Sequence, residues 1–191
     1  MELILIRHGL PERREDTADP PLSPRGHDQS RLVADWLANE NIDAVFASTM
    51  RRAIQTAEPF AAHKGLAVTQ HDGIAEFDRH SGVYVPMEEL KRDNYPAWLA
   101  MAEGNHGIDI AAFSLTVVTA LEEIVDTHSG KRVAVFCHGS VVNVWTAHVL
   151  GMAPRLFFEP DYTSIHRFMC ARSGQRNVVS LNERAHLRGM A

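Results

Sequence analysis

Ile4-Leu5-Ile6-Arg7-His8-Gly9, close to the start of the chain, is a short apolar run that ends in a cationic pair and a glycine. A continuous apolar run of this length is typical of a strand buried on both faces of an α/β sheet. Ligands of such sheets bind beyond the carboxyl ends of the strands. We therefore predict that Arg7 and His8 belong to a functional site; the alternative is a surface turn with an incidental histidine.

A second apolar run, residues 44–47, leads into a predicted helix that contains two adjacent arginines. Ser48 is of a residue type that caps helix N-termini, which would place Arg51 in the first turn. A guanidinium beside the positive end of a helix dipole is unfavourable unless an anion lies between them. We therefore predict that Arg51 binds an anion, whereas its neighbour Arg52 is interpreted as an ordinary exposed helix residue.

A buried strand followed by His-Gly occurs again at residues 132–139, so His138 and Gly139 repeat the arrangement of His8 and Gly9. This repetition within one short chain favours a shared site over two structural histidines. Glu76 lies in a predicted loop with apolar neighbours. Partial burial would raise the pKa of its carboxyl and keep it protonated, as a general acid requires; a simple surface charge is the alternative.

The composition is that of an ordinary globular protein. At 191 residues the chain has the length of one domain, and we expect a single domain over residues 1–191. A net charge of −5 predicts no nucleic-acid partner. Long apolar runs and an N-terminal signal peptide are both missing, so we expect no membrane association and a cytoplasmic location. Two cysteines, Cys137 and Cys170, are predicted as small core residues.

Eleven histidines raise the possibility of a metal site, but their spacing does not support one. The sequence contains neither His-Glu-x-x-His nor Cys-x-x-Cys. Glycine-rich loops for nucleotide phosphates or dinucleotides are also missing. We therefore expect neither a metal nor a cofactor.

The order of elements predicts a mostly parallel α/β sheet. Strands are expected near residues 2–7, 43–47, 66–69, 132–137, 164–170 and 176–181. Ser23 and Pro24 have the residue types favoured at the N-cap and first position of a helix, and Trp36 is expected in the core along that helix. Residues 78–105 are the least regular part and are predicted to be an insertion that determines substrate specificity.

The order and context of Arg7-His8-Gly9, Arg51, Glu76 and His138-Gly139 resemble the histidine phosphatase superfamily, in the branch that contains phosphoglycerate mutases and broad small-molecule phosphatases. The resemblance extends to residues 19–29 and to residues 181–187, and so covers nearly the whole chain. It implies a three-layer sandwich with a mostly parallel central sheet flanked by helices. It also implies a phosphomonoesterase that acts on a small phosphorylated metabolite.

The residue types fit that chemistry. A neutral His8 imidazole can accept the phosphoryl group as a phosphohistidine, which divides hydrolysis into two easier steps. Fixed cations stabilise the transferred group, and Glu76 can protonate the leaving oxygen. The cations expected around the phosphoryl group are Arg7, Arg51 and a protonated His138, and further substrate contacts are expected from Gly139, Arg14 and Ser23.

Some positions after Arg7-His8-Gly9 depart from the family pattern. Leu10, Pro11 and Arg14 stand where many members carry polar residues, so Arg14 adds a possible cation while other hydrogen bonds are lost. Two alternatives to a phosphatase therefore stay open: a phosphoglycerate mutase-like phosphotransferase, and a catalytically silent phosphate-binding or interaction module. Either a monomer or a homodimer is compatible with the sequence.

Overall fold

The computed structural model describes residues 1–80, 84–102, 107 and 109–190, which form one sheet with helices on both faces. The strands are β1 Glu2–Arg7, β2 Ala44–Ser48, β3 Val68–His71, β4 Arg132–Cys137, β5 Ile165–Cys170 and β6 Arg176–Glu183. The helices are α1 Pro24–Trp36, α2 Arg51–Lys64, α3 Met87–Asp93, α4 Tyr95–Ala102, α5 Ile110–Thr127 and α6 Gly139–Val149. Short 3₁₀ turns span Asp72–Ile74 and Ala185–Leu187.

The six strands have the order β3-β2-β4-β1-β5-β6. β3, β2, β4 and β1 are mutually parallel, and β5 and β6 add an antiparallel edge. Because β1, β2 and β4 are parallel neighbours, their carboxyl ends meet at one edge of the sheet. Arg7 and Ser48 end β1 and β2, and His8 and His138 follow β1 and β4, so the parallel pairing brings these four residues to the same edge of the sheet.

Alternate residues of the central strands pack into two hydrophobic cores. Leu3 and Leu5 face the core beneath α5 and α6, whereas Ile4 and Ile6 face the core beneath α1 and α2. This alternation is the two-residue period of a strand. The alternation explains why residues 3–6 of β1 include no polar side chain, because helices cover both faces of the strand. The predicted three-layer α/β fold is confirmed.

Two details of the sequence prediction are wrong. β3 begins at Val68 rather than near residue 66, because Leu66 N donates to the Ala61 carbonyl and completes the end of α2. Trp36 is 51% exposed rather than buried. The buried row of α1 includes Val33 and ends at Leu37, and Trp36 is turned about 100° away from Leu37 around the helix axis. Both cysteines are buried and free, as predicted.

The predicted insertion at 78–105 carries α3 and α4, while residues 81–83 and 103–105 lie outside the described residues. Tyr84 is tied to the loop after β1, since its N–H donates to the Arg14 carbonyl at 3.1 Å. Glu89 of α3 adds an ion pair of 3.0 Å to Arg13. Across the described part of the chain, none of the helices combines the length and apolarity needed to span a membrane.

Candidate active site

His8 lies at the end of β1 with its side chain 2% exposed. Its Nδ1 is 2.8 Å from the carbonyl oxygen of Gly9. A carbonyl can only accept, so Nδ1 carries the ring hydrogen and Nε2 of the neutral ring keeps a lone pair. Burial, then the positive charges of Arg52 and Arg7, hold the pKa of His8 well below its usual value. The ring is therefore neutral, and Nε2 is its unprotonated nitrogen.

The backbone around His8 is fixed from both sides. Gly9 N donates to Thr56 Oγ1 at 3.0 Å, and Thr163 N donates to the His8 carbonyl at 3.2 Å. A Cβ on Gly9 would lie 2.7 Å from the Gly26 carbonyl, so only glycine permits this approach of α1. Thr163 has a φ of 56°, which is uncommon for a residue with a side chain. These contacts hold the imidazole in one orientation.

The cation beside His8 is Arg52, which is 0% exposed. Its Nε donates to His8 Nε2 at 3.3 Å, and its Nη1 donates to the Ala18 carbonyl at 3.0 Å. Nη2 lies 3.7 Å from a carboxylate oxygen of Asp78. Within the described residues, neither this Nη2 nor that oxygen has a hydrogen-bond partner. Nη2 of Arg52 therefore has N–H groups that no acceptor among the described residues binds at hydrogen-bond distance.

The sequence prediction for the two arginines is corrected by this geometry. Arg51 is exposed and its backbone N–H donates to Asp19 Oδ1 at 2.9 Å, whereas Arg52 is buried against His8. Ser48 is not the cap either: it ends β2, and α2 begins at Arg51 after Met50 as N-cap. The helix begins two residues later than a cap at Ser48 would place it. Arg52, one turn before Thr56, is therefore the arginine whose side chain points into the protein.

Arg7 is the second buried cation of the site. Its Nη1 donates to the Pro160 carbonyl, and its guanidinium carbon lies 4.0 Å from the centre of the Tyr162 ring. Tyr84 lies over the Arg52 guanidinium in the same manner, at 4.9 Å. Two tyrosines thus cover the two guanidiniums and lower the local dielectric, which strengthens their attraction for an anion.

His138 joins the site as predicted, with its ring centre 5.1 Å from that of His8. Burial, and after it the positive charges of the Arg52 and Arg7 guanidiniums, lower the pKa of His138 well below its usual value. The expectation of a protonated His138 is therefore wrong for the free protein. Two nearby guanidiniums in a dry site make a third positive charge unfavourable.

Glu76 supplies a carboxyl group to the same cluster. Burial, with a smaller contribution from the negative charge of Asp78, raises its pKa to about 7. Its Oε1 accepts from Phe77 N at 3.0 Å and its Oε2 from Ser140 N, in the first turn of α6, at 3.5 Å. Burial likewise raises the pKa of Asp78. Glu76 can thus hold a proton near neutral pH.

Three further predicted contacts have different outcomes. Gly139 begins α6 beside Arg7, and a Cβ there would lie 3.6 Å from Arg7 Nε. Ser23 is the N-cap of α1: its hydroxyl donates to the Leu10 carbonyl and accepts from Gly26 N, so the structure supports a capping role rather than a substrate contact. Arg14 is half exposed and paired with Asp16 at 3.1 Å, so its guanidinium is not placed in the cluster.

Sequence reasoning missed Arg52, and it did not foresee how Asp78, Tyr84 and Tyr162 surround the two cations. A usable signal existed for Arg52, because Arg52 and Thr56 are one turn apart and in line with the apolar face of α2. No comparable signal marks Tyr84, which reaches the site through its pairing with Arg14 in a distant part of the chain.

The cluster combines a neutral imidazole, two guanidiniums and a carboxyl with a raised pKa, which are residue types suited to phosphoryl transfer. The comparison with known families agrees: histidine phosphatase superfamily (branch 1) matches residues 3–184. The chain therefore belongs to the histidine phosphatase superfamily.

Particular relatives are phosphatases. Phosphoserine phosphatase 1 of Hydrogenobacter thermophilus is 30% identical over 205 residues, covering 98% of this chain and 94% of the relative. A phosphoserine phosphatase mutant from Entamoeba histolytica, solved in complex with phosphoserine, has a TM-score of 0.79 and 26% identity, covering 97% of this chain and 98% of that one. YhfR of Bacillus stearothermophilus shares the fold, with a TM-score of 0.81 at 21% identity over 97% of this chain and 98% of its own.

Proposed function

We propose that this protein hydrolyses phosphomonoesters of a small metabolite through a phosphohistidine on His8, without a metal. The observation that carries the proposal is the state of His8. The Gly9 carbonyl holds its Nδ1–H, and Nε2 faces Arg52 with a lone pair. Such a lone pair can attack phosphorus once Arg52 Nε donates to a phosphoryl oxygen in its place, and the Gly9 carbonyl already holds the ring in its orientation.

In the first step, Nε2 of His8 forms a bond to phosphorus while the bond from phosphorus to the ester oxygen breaks. The leaving oxygen takes the proton of Glu76, whose raised pKa of about 7 supports a protonated carboxyl at mildly acidic pH. In the second step, Glu76 as carboxylate takes a proton from water. The resulting hydroxide attacks phosphorus, the P–N bond breaks, and phosphate and neutral His8 are regenerated.

Arg52 and Arg7 stabilise the charge on the transferred group. Both are buried and held by backbone carbonyls, Ala18 for Arg52 and Pro160 for Arg7, so they are preorganised before substrate arrives. The Nη2 of Arg52 can donate to a phosphoryl oxygen. Two fixed guanidiniums supply the positive charge that a divalent metal provides in other phosphatases, which is our reason for proposing metal independence.

Phosphoserine is the first substrate to test, because two of the relatives are named phosphoserine phosphatases. Phosphate release should be measured from O-phosphoserine, from para-nitrophenyl phosphate and from a panel of phosphorylated metabolites, all with chelator present. We expect turnover by the wild-type protein and by His63→Ala, an exposed histidine, but not by His8→Ala.

Other outcomes would favour the alternatives. Transfer of the phosphoryl group to an added phosphoglycerate, without release of phosphate, would indicate a mutase-like phosphotransferase. Binding of phosphate with neither hydrolysis nor transfer would indicate a silent module. Activity that disappears with chelator and returns with zinc or magnesium would contradict metal independence.

A further inference from the structure

Ser48 is a buried serine at the edge of the site. Its side chain is 0% exposed, and its Oγ lies 2.8 Å from Nε2 of His138. β2 and β4 are parallel neighbours, so the last residue of β2 lies beside the residue that follows β4. The proposed reaction assigns no task to this hydroxyl, although it contacts one of the two imidazoles of the site.

The Ser48 hydroxyl has one hydrogen-bond acceptor within reach among the described residues. Oγ already accepts the N–H of Met50 at 3.2 Å. A hydroxyl has a single hydrogen to donate and two sites at which it can accept. Among the described residues, the other hydrogen-bond partner of Oγ is Nε2 of His138. The arrangement that gives the Ser48 hydrogen an acceptor therefore has Ser48 donating to Nε2 of His138.

This contact decides which nitrogen of His138 carries the ring hydrogen. The ring is neutral in the free protein, so only one of its nitrogens is protonated. If Nε2 accepts from Ser48, the hydrogen is on Nδ1. Nδ1 is buried and has no hydrogen-bond partner in the described part of the chain. The opposite tautomer would leave two buried groups unsatisfied, the Ser48 hydrogen and the Nδ1 lone pair, and buried polar groups are rarely unpaired.

We propose that Ser48 is a positioning residue that fixes His138 with its hydrogen on Nδ1, so that this ring offers an N–H donor to the transferred phosphoryl group. His8 and His138 then have opposite tasks although both carry hydrogen on Nδ1. His8 donates its Nδ1–H to the Gly9 carbonyl, and its Nε2 lone pair, which accepts from Arg52 Nε in the free protein, is the one proposed to attack phosphorus. His138 has its Nε2 lone pair occupied by Ser48 and keeps Nδ1–H for an oxygen.

The tautomer can be measured without turnover. Protein labelled with ¹⁵N in its histidines should be studied by long-range ¹H–¹⁵N correlation spectra at pH 8, with the signals of His138 assigned by their loss in His138→Gln. We expect the wild-type ring of His138 to have a protonated Nδ1 and an unprotonated Nε2. Ser48→Ala should shift the ring toward Nε2–H or a mixture, whereas Ser48→Thr, which keeps a hydroxyl, should retain the wild-type pattern.

A matched control is Ser30→Ala, which removes another buried serine hydroxyl, one that donates to the His27 carbonyl in α1. It should leave the His138 signals unchanged. A protonated Nε2 in the wild-type protein, or an unchanged tautomer in Ser48→Ala, would overturn the proposal. If Ser48→Ala does not fold, the wild-type and Ser48→Thr spectra still decide the question.

The phosphoryl part of this inference rests on the proposed function. For a substrate that the wild-type protein hydrolyses, we expect kcat/KM to fall roughly tenfold in Ser48→Ala, the scale of one lost buried hydrogen bond, and to be largely kept in Ser48→Thr. Equal activity of Ser48→Ala and wild type would overturn the role in catalysis. A chain that hydrolyses no ester would refute the proposed function, yet the spectra would still test the tautomer.

Discussion

Replacing each of the two adjacent arginines by lysine tests the geometry of the site in one matched pair. Arg52→Lys keeps the positive charge but loses the planar fork that reaches His8 Nε2 at 3.3 Å and the Ala18 carbonyl at 3.0 Å. Arg51→Lys changes an exposed side chain on the same turn of the same helix. Both variants thus replace a guanidinium by an ammonium group, but at position 52 the side chain is buried in the site and at position 51 it is exposed to solvent.

The expected magnitudes differ widely. Loss of one preorganised donor to a charged transition state lowers kcat by about 10²–10³-fold, so we expect Arg52→Lys to fall in or near that range. A surface substitution changes the free energy of unfolding by about 0.5 kcal/mol or less. We expect an effect of similar size on the activation free energy, so kcat of Arg51→Lys should stay within about twofold of wild type. The assay is initial-rate hydrolysis of para-nitrophenyl phosphate at mildly acidic pH.

Stability must be measured beside activity, because Arg52 also holds the Ala18 loop. Loss of one hydrogen bond from a buried, charged group costs about 1–3 kcal/mol, which thermal unfolding of both variants would detect. Rates should be compared at a temperature where both are folded. Near wild-type rates for folded Arg52→Lys, or a large loss in Arg51→Lys, would refute the assignment of Arg52 as the phosphoryl-binding cation.

Three further outcomes are expected. Glu76→Gln should slow hydrolysis of alkyl phosphates by about 10²–10⁴-fold while largely sparing para-nitrophenyl phosphate, whose leaving group needs no proton; equal losses on both substrates would contradict its role as acid. For alkyl phosphates, kcat/KM should decline as pH rises through about 7, where Glu76 loses its proton, and this limb should be absent in Glu76→Gln. His8, whose pKa is lowered, stays neutral there and down to well below its usual pKa. Gly26→Ala should destabilise the protein by about 1–3 kcal/mol in chemical denaturation, because its Cβ would lie 2.1 Å from the Leu10 carbonyl; unchanged stability would mean that α1 can move away from His8.

The sheet could be predicted from sequence because its signals are local. Ile4 and Ile6 belong to a run with no polar interruption, and Ser23-Pro24 marks the start of α1 with two independent preferences. The prediction that Trp36 is buried was wrong because an apolar residue at helical spacing can lie at the border of the buried face as well as within it. Side chains at such borders are decided by packing between elements.

The sequence predicted only those site residues whose position follows from the end of a strand. His8 and His138 follow neighbouring strands and were found by that pattern. The choice between Arg51 and Arg52 depends on where α2 begins, and a shift of one residue turns a side chain by about 100°. The neutral state of His138 depends on burial beside two guanidiniums, which becomes visible only when distant segments are assembled.

The central claim is that His8 carries the phosphoryl group during turnover, and rapid quenching tests it most directly. Enzyme mixed with a ³²P-labelled substrate should be quenched in base within milliseconds, digested and mapped by mass spectrometry. We predict an acid-labile, base-stable phosphate adduct on the peptide that contains His8, and its absence in His8→Ala. An adduct that maps to His138, or rapid turnover by His8→Ala, would contradict the claim.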